Sequence, residues 1–287
     1  MLSYQHAYHA GGPADLHKHT ALCLLLEKLG EKPKPYTVID LHAGHGVYDL
    51  GSTEAQKTQE FSQGIAKLWP LRDTNMPAGV QALLAAVRAL NEDGVCRRYP
   101  GSPAMAQAAL RAGDLLILNE LHPAAHADLK AWARRDSRIS IHQRDALEAL
   151  VGLVPPPIRR GLVVIDPSYE IKSEYVDTPV ALGAAVRKWR EGIYLVWYPI
   201  LHDARHRELI SGIEKKVAGE VLFGELLFGA NVRRDDTPGL RGTGCAVINP
   251  PWLFEAAMEA AGDWLAKMLT AGGSHSVRRV HSDRSSA

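Results

Sequence analysis

Cysteine is scarce: Cys23, Cys96 and Cys245 are the only three in 287 residues, and none forms a C-x-x-C pair. An odd, scattered set excludes a disulfide framework and a cysteine zinc site, and it points to a reducing compartment. No apolar run reaches the roughly 20 residues that span a bilayer. The opening residues are polar and histidine-rich, with no apolar signal region. A soluble, cytoplasmic protein is expected. Charge of one sign is not in excess either, since 33 Lys+Arg face 32 Asp+Glu for a formal net charge of +1. No strong overall field therefore draws in nucleic acid, and any basic footprint must be local. Arg134-Arg135, Arg159-Arg160, Arg187-Lys188 with Arg190, Arg233-Arg234 and Arg241 are the candidates. Each taken alone is equally well read as solvated surface charge. The G-K-[ST] of a phosphate loop and the H-E-x-x-H of a zinc protease are missing as well.

What is present is an alternation. Apolar, β-rich runs occur at 36–41, 115–120, 138–142, 162–166, 193–198, 219–228 and 244–249, with helical patterns between them, for example at 14–29, 123–134, 175–189 and 252–268. This is the rhythm of a doubly wound α/β fold with a mostly parallel sheet. About seven strands are expected, the last two joined by a loop as one antiparallel edge pair. The first two strands lie much further apart than the about 30 residues of a plain βαβ unit. Extra helical patterns near 54–69 and 78–92 predict a small helical insertion over about 50–97. Residues 1–270 form a single domain on this view. The last stretch, 271–287, lacks apolar periodicity and reads as a disordered tail.

Chemistry gathers just past the strands. The first ends in Asp40 and runs into Leu41-His42-Ala43-Gly44-His45-Gly46, a G-x-G turn that lets backbone approach a ligand at the carboxyl edge of the sheet. Without the third glycine of a dinucleotide fingerprint the turn alone is a weak signal. The second strand delivers Glu120, suited to the two hydroxyls of a ribose. The third delivers Asp145, within reach of an adenine amino group, and the fourth Asp166. Singly, each acid is a strand-end or N-cap residue. Four together at one edge match S-adenosylmethionine; a nicotinamide site would have little use for the fourth.

Asp166-Pro167-Ser168-Tyr169 resolves the role of that fourth acid. Adenine N6 is a poor nucleophile because its lone pair is delocalised into the ring. A carboxylate and the Pro167 carbonyl accepting its two hydrogens favour a pyramidal nitrogen, and the Tyr169 ring would stack on the extruded base. Ser168 removes no acceptor, so it varies the motif without breaking it. Ser102-Pro103 reads as an N-cap with proline at the first helical position, leaving amides free for a carboxylate. The opening MLSYQHAYHAGGPADLHKHT holds Tyr4, His6, Tyr8, His9, His17, Lys18 and His19. His17 and His19, two apart on a predicted helix, face different directions, so no metal site is expected.

The opening block, together with DLHAGHGVYDL, YPGSP, ELHP, RRGLVVIDPSYE, WYP and NPPW, closely resembles the bacterial RlmJ family of 23S ribosomal RNA adenine-N6 methyltransferases. The resemblance covers residue 1 to about 270. It implies a Rossmann-like class I methyltransferase using S-adenosylmethionine on one adenine of 23S rRNA, position 2030. It places His19, His42, Ser102, Glu120, Asp145 with Ala146, and Asp166 around the cofactor. Asp166 becomes the catalytic acceptor, with Pro167 and Tyr169 beside it. Tyr4, with His6 and Lys18, would meet the substrate base. The expected partner is 23S rRNA, naked or in early assembly, met by a monomer, with no metal and no membrane. Two alternatives stay open: a DNA adenine-N6 or protein glutamine methyltransferase, since the motif serves related planar amines, and a non-catalytic cofactor- and RNA-binding module.

Overall fold

The computed structural model describes residues 5–73, 75–229 and 239–282. In chain order these form α1 (Pro13–Gly30), β1 (Thr37–Asp40), β2 (Val47–Asp49), α2 (Thr53–Thr58), α3 (Ile65–Leu68), α4 (Ala78–Ala89), β3 (Arg98–Pro100) and α5 (Ser102–Ala109). There follow β4 (Leu115–Asn119), α6 (Pro123–Ala133), β5 (Ile139–His142), α7 (Ala146–Leu153), β6 (Gly161–Ile165) and α8 (Glu174–Lys188). The last elements are β7 (Ile193–Ile200), α9 (His206–Lys216), β8 (Gly219–Leu227), β9 (Gly242–Ile248), α10 (Phe254–Leu269) and β10 (Ser274–Ser282).

One sheet carries eight strands in the order β10-β8-β9-β7-β6-β1-β4-β5. β5, β4, β1, β6 and β7 run parallel, and β9 is antiparallel to both β7 and β8. β1 and β6 are buried along their whole length, as parallel strands covered on both faces must be. β6 comes so close to β1 that a Cβ on Gly161 would lie 2.0 Å from the Thr37 carbonyl oxygen. The apolar core has two parts. Leu16, Leu22, Leu84, Met105, Leu129 and Leu265 pack on one face, from α1, α4, α5, α6 and α10. Leu150, Leu182, Val186, Leu209 and Ile213 pack on the other, from α7, α8 and α9.

Three expectations need correction. The sheet has eight strands, not seven, and a second, two-stranded ribbon pairs β2 with β3. Strands of three residues are too short to show a period in sequence. The antiparallel pair β8 and β9 is not at the edge, because β9 sits between β7 and β8 and a further strand closes the sheet. That strand is β10, which replaces the disordered tail expected over 271–287 as far as Ser282. It pairs with β8 from Ser274 opposite Leu227 to Ser282 opposite Gly219. Its alternation is faint because the partly buried residues are His275, Val277, Val280 and Ser282, two of them polar, among exposed polar neighbours. Between β2 and β3 the chain forms α2, a 3-10 turn at Glu60–Ser62, α3 and α4, with α4 packed on α1.

Candidate active site

The pairing register fixes where the chemistry meets. Asp40 of β1 lies level with Leu118 of β4 and Val164 of β6, so the loops carrying His42, Glu120, Asp145 and Asp166 all open at the carboxyl edge. β1 and β6 are also where strand order reverses, β4 and β5 lying to one side and β6 and β7 to the other. In open α/β sheets that switch point is where ligands bind.

Gly44 and Gly46 take φ of +60° and +81°, conformations that side chains other than glycine adopt at a cost. A Cβ on Gly44 would strike the Tyr48 hydroxyl at 2.1 Å. The turn is locked from the neighbouring strand: Glu120 Oε2 accepts from the Gly44 amide at 2.8 Å, and Oε1 from the His122 amide at 2.8 Å. An ionised carboxylate has about four lone-pair positions, so both oxygens retain capacity for ribose hydroxyls. Asp40 is fully buried; Oδ1 accepts from the His42 amide at 3.2 Å and Oδ2 finds no hydrogen-bond partner among the described residues. Burial pushes its carboxyl up to about 6, against the Ser102 hydroxyl and the His42 amide, which favour the anion. An orphaned buried acceptor beside a glycine turn, with Glu120 one strand away, fits a polar, hydroxyl- and amine-bearing cofactor.

Ser102 is one residue off its expected role. Gly101 is the N-cap, with Ser102 and Pro103 opening α5, and Ser102 is buried near Asp40. Asp145 is exposed and caps α7, Oδ1 accepting from the Leu147 and Glu148 amides at 3.0 and 3.1 Å, and Ala146 is the first helical residue. This leaves Oδ2 for a ligand. His42 Nδ1 accepts the Asp166 amide at 3.1 Å, so in the neutral ring the proton is on Nε2. Burial pulls the His42 pKa down, which keeps that ring neutral.

The opposite wall is α1. Lys18 Nζ lies 2.6 Å from Asp166 Oδ2 and 2.9 Å from Asp15 Oδ1, with its side chain 4% exposed. Asp15 Oδ2 in turn meets His6 Nε2 at 2.9 Å and the Gly11 amide at 3.0 Å. Burial opposes ionisation of Asp15, but His6, Lys18 and His19 outweigh it and hold the carboxyl well below its usual range. Lys18 also stands 5.8 Å from the centre of the Trp197 ring. His19 is buried, its Nδ1 2.8 Å from the Tyr99 hydroxyl, and burial lowers its pKa to about 3. Tyr4 lies outside the described residues.

Tyr169 differs from expectation. It holds φ of +57°, its hydroxyl donates to the Trp197 carbonyl at 2.8 Å, and its ring packs 4.5 Å from Tyr175. At 5% exposure it anchors the loop and offers no open stacking face in this structure. The Pro167 carbonyl accepts no hydrogen bond among the described residues. Sequence reasoning missed Asp15 and Trp197. Asp15 was detectable as the i−3 partner of Lys18, and Trp197 sits in the quoted WYP. Among the described residues no group of three or more His, Cys, Asp or Glu could hold a metal, and no helix is long and apolar enough to cross a membrane.

Five parallel strands with an antiparallel β9 inserted before β8, a glycine turn after β1, acids after β4 and β5, and Asp-Pro-x-Tyr after β6 define a class I, S-adenosylmethionine-dependent methyltransferase. The particular family follows from comparison. The family model "Ribosomal RNA large subunit methyltransferase D, RlmJ" matches residues 33–280. Ribosomal RNA large subunit methyltransferase J of Escherichia coli K12 is 39% identical over 278 residues, 96% of this chain and 98% of that one. The Haemophilus influenzae protein of the same name is 36% identical, covering 96% and 97%. A crystal structure of a Legionella pneumophila protein of family DUF519 superposes with a TM-score of 0.84 at 32% identity, covering 96% of this chain and 99% of that one. The chain belongs to the RlmJ family.

Proposed function

We infer that the protein methylates the exocyclic N6 of one adenine in 23S rRNA, position 2030 by family resemblance. Asp166 with the unengaged Pro167 carbonyl, set at the switch point opposite Lys18, is the observation that carries this. S-adenosylmethionine, when bound, supplies the methyl group. Glu120 would hold its ribose, Asp145 and Ala146 the adenine, and His42, Ser102 and the Gly44 turn the amino-acid end; buried His19 would act from behind that wall.

Lys18 occupies Asp166 Oδ2 and keeps the carboxylate aimed across the edge. Oδ1 then accepts one N6 hydrogen of the target adenine and the Pro167 carbonyl the other. This arrangement favours a pyramidal nitrogen and stabilises the positive charge that develops as the new C–N bond forms. The proton is released to water afterwards. Tyr169 sets the path of the loop through its hydroxyl and its positive φ, so contact with the target base would fall to His6 and Lys18, the role that the resemblance also gives to Tyr4. A monomer acting on naked or early-assembly RNA is the state proposed, since the described site residues all come from one chain.

Labelled-methyl transfer to rRNA, duplex DNA and protein fractions from a strain lacking the gene tests this. Label on a single rRNA adenine is expected. Label on DNA adenine or protein glutamine instead would replace the substrate, and no turnover in a single-turnover assay would leave only a binding module.

A further inference from the structure

Away from the catalytic edge, the last turn of α6, the turn 134–138 and β5 enclose an open cleft of about 490 Å³. Its lining is chemically one-sided. Lys130, Arg134 and Arg135 are exposed around it, and none enters an ion pair among the described residues. Lys130 and Arg134 stand one helical turn apart and so share a face. The lining holds a single carboxylate, Asp136, and it is already engaged. Arg138 donates to Oδ1 from Nε at 2.9 Å and to Oδ2 from Nη2 at 2.6 Å, while Gln107 donates to Oδ2 at 3.0 Å. The three cations therefore have no internal counter-charge. Ser137 adds an exposed hydroxyl, and half-buried Ile139 and Ile141 form the floor.

We propose that this cleft holds the phosphodiester backbone of substrate RNA that flanks the target nucleotide. Three points favour it. The net charge of the chain is only +1, so phosphate can be held only where cations are gathered and uncompensated. The three cations are spread over six residues around an open cleft, matching a run of phosphates better than a single carboxylate. β5 runs from the cleft straight to Gln143, Arg144 and Asp145 at the catalytic edge, a distance of roughly 13 Å for four residues at about 3.3 Å each. RNA entering the site can thus reach the cleft without wrapping the molecule. The inference rests on the reaction proposed above for the identity of the polyanion, not for the charge of the cleft.

The test is the triple variant K130A/R134A/R135A in the full chain, assayed with an rRNA fragment carrying long flanks and with a short oligonucleotide holding only the target loop. RNA binding is measured separately from methyl transfer. For the long fragment, Kd and KM should rise at least about tenfold, and the slope of log Kd against log salt should fall by about 2. kcat at saturating RNA, cofactor Kd and Tm should stay near wild type, and KM for the short oligonucleotide should not move. Unchanged affinity and salt slope would overturn the proposal. So would a variant that keeps RNA affinity but loses binding to polyglutamate, which would assign the cleft to an acidic protein segment. A wild-type enzyme that binds RNA through these residues yet methylates none would overturn the reaction and leave the cleft standing.

Discussion

Asp166-Pro-Ser-Tyr169 and Asn249-Pro-Pro-Trp252 look alike in sequence. Each follows a buried apolar strand, and each contains a residue at positive φ, Tyr169 at 57° and Asn249 at 54°. The fold treats them oppositely. β6 is parallel to β1, so Asp166 emerges beside Asp40 and His42; β9 is antiparallel to β7, and Ile248 pairs with Tyr194 near the start of that strand. Asn249 is thereby placed at the far edge, roughly 13 Å down the sheet, four residues below the level of Asp166. Its side-chain amide donates to the carbonyls of Arg190 and Gly192, both at 2.7 Å, while Asp166 faces a lysine. The aromatics diverge too: Tyr169 is 5% exposed and hydrogen-bonded, Trp252 is 84% exposed. Strand direction, not local sequence, decides which copy meets the carboxyl edge where the acids gather.

The largest effect that separates the two motifs should come from their first residues. Asp166→Ala should lower kcat by about 10²–10³ with cofactor still bound, the scale seen when one acceptor or donor for developing charge is removed. Asn249→Ala should change kcat less than about threefold in the same assay. Equal losses would break the contrast. Glu120→Ala comes next, because it strips a charged acceptor from the turn at the catalytic edge, with each such bond worth about 1.5–3 kcal/mol. Calorimetry should show cofactor Kd rising at least about tenfold, and an unchanged Kd would take Glu120 out of the site.

Acid should act on the α1 side and spare the far edge. Burial lowers the pKa of His17, which faces His275, and of His19 to about 3, against an ordinary value near 6.5. The unfolded chain binds these protons below about pH 6.5 while the folded chain does not, so stability is fully present above that pH and is lost as pH falls toward 4. Asp40, raised to about 6, works the other way over the same window together with Glu27, Glu174 and His9, but these are outnumbered by the lowered groups, which include His42, His206, His275 and Asp15. Tm should therefore drop between pH 6.5 and 4.5, and His17→Phe should flatten the drop. A Tm that rises on acidification would mean that the raised groups, Asp40 foremost, dominate. The smallest effect belongs to Trp252→Ala, which removes an exposed ring and should shift stability by less than about 0.5 kcal/mol and leave kcat unchanged.

The buried parallel strands were readable because two-sided burial leaves an unbroken apolar run, as in Gly161–Ile165. β10 was not, since an edge strand half in water carries arginines and serines that read as tail. The four acids were readable as strand-end residues, and that local signal also hid their differences. Asp145 serves partly as the helix cap that such a residue would be anywhere, while Asp40 is buried with one oxygen unsatisfied.

Composition, apolar period and the placement of acids just past the strands determined the layer architecture and the edge of the sheet at which Asp40, Glu120, Asp145 and Asp166 gather, because these follow from local propensity and from which residues must be buried. The tertiary structure decided which of two similar motifs faces that edge, that Lys18 and Asp15 arrive from α1 to hold Asp166, and that Tyr169 turns inward. Those outcomes depend on strand order and direction and on contacts between residues as far apart as Lys18 and Asp166, and no local pattern encodes them.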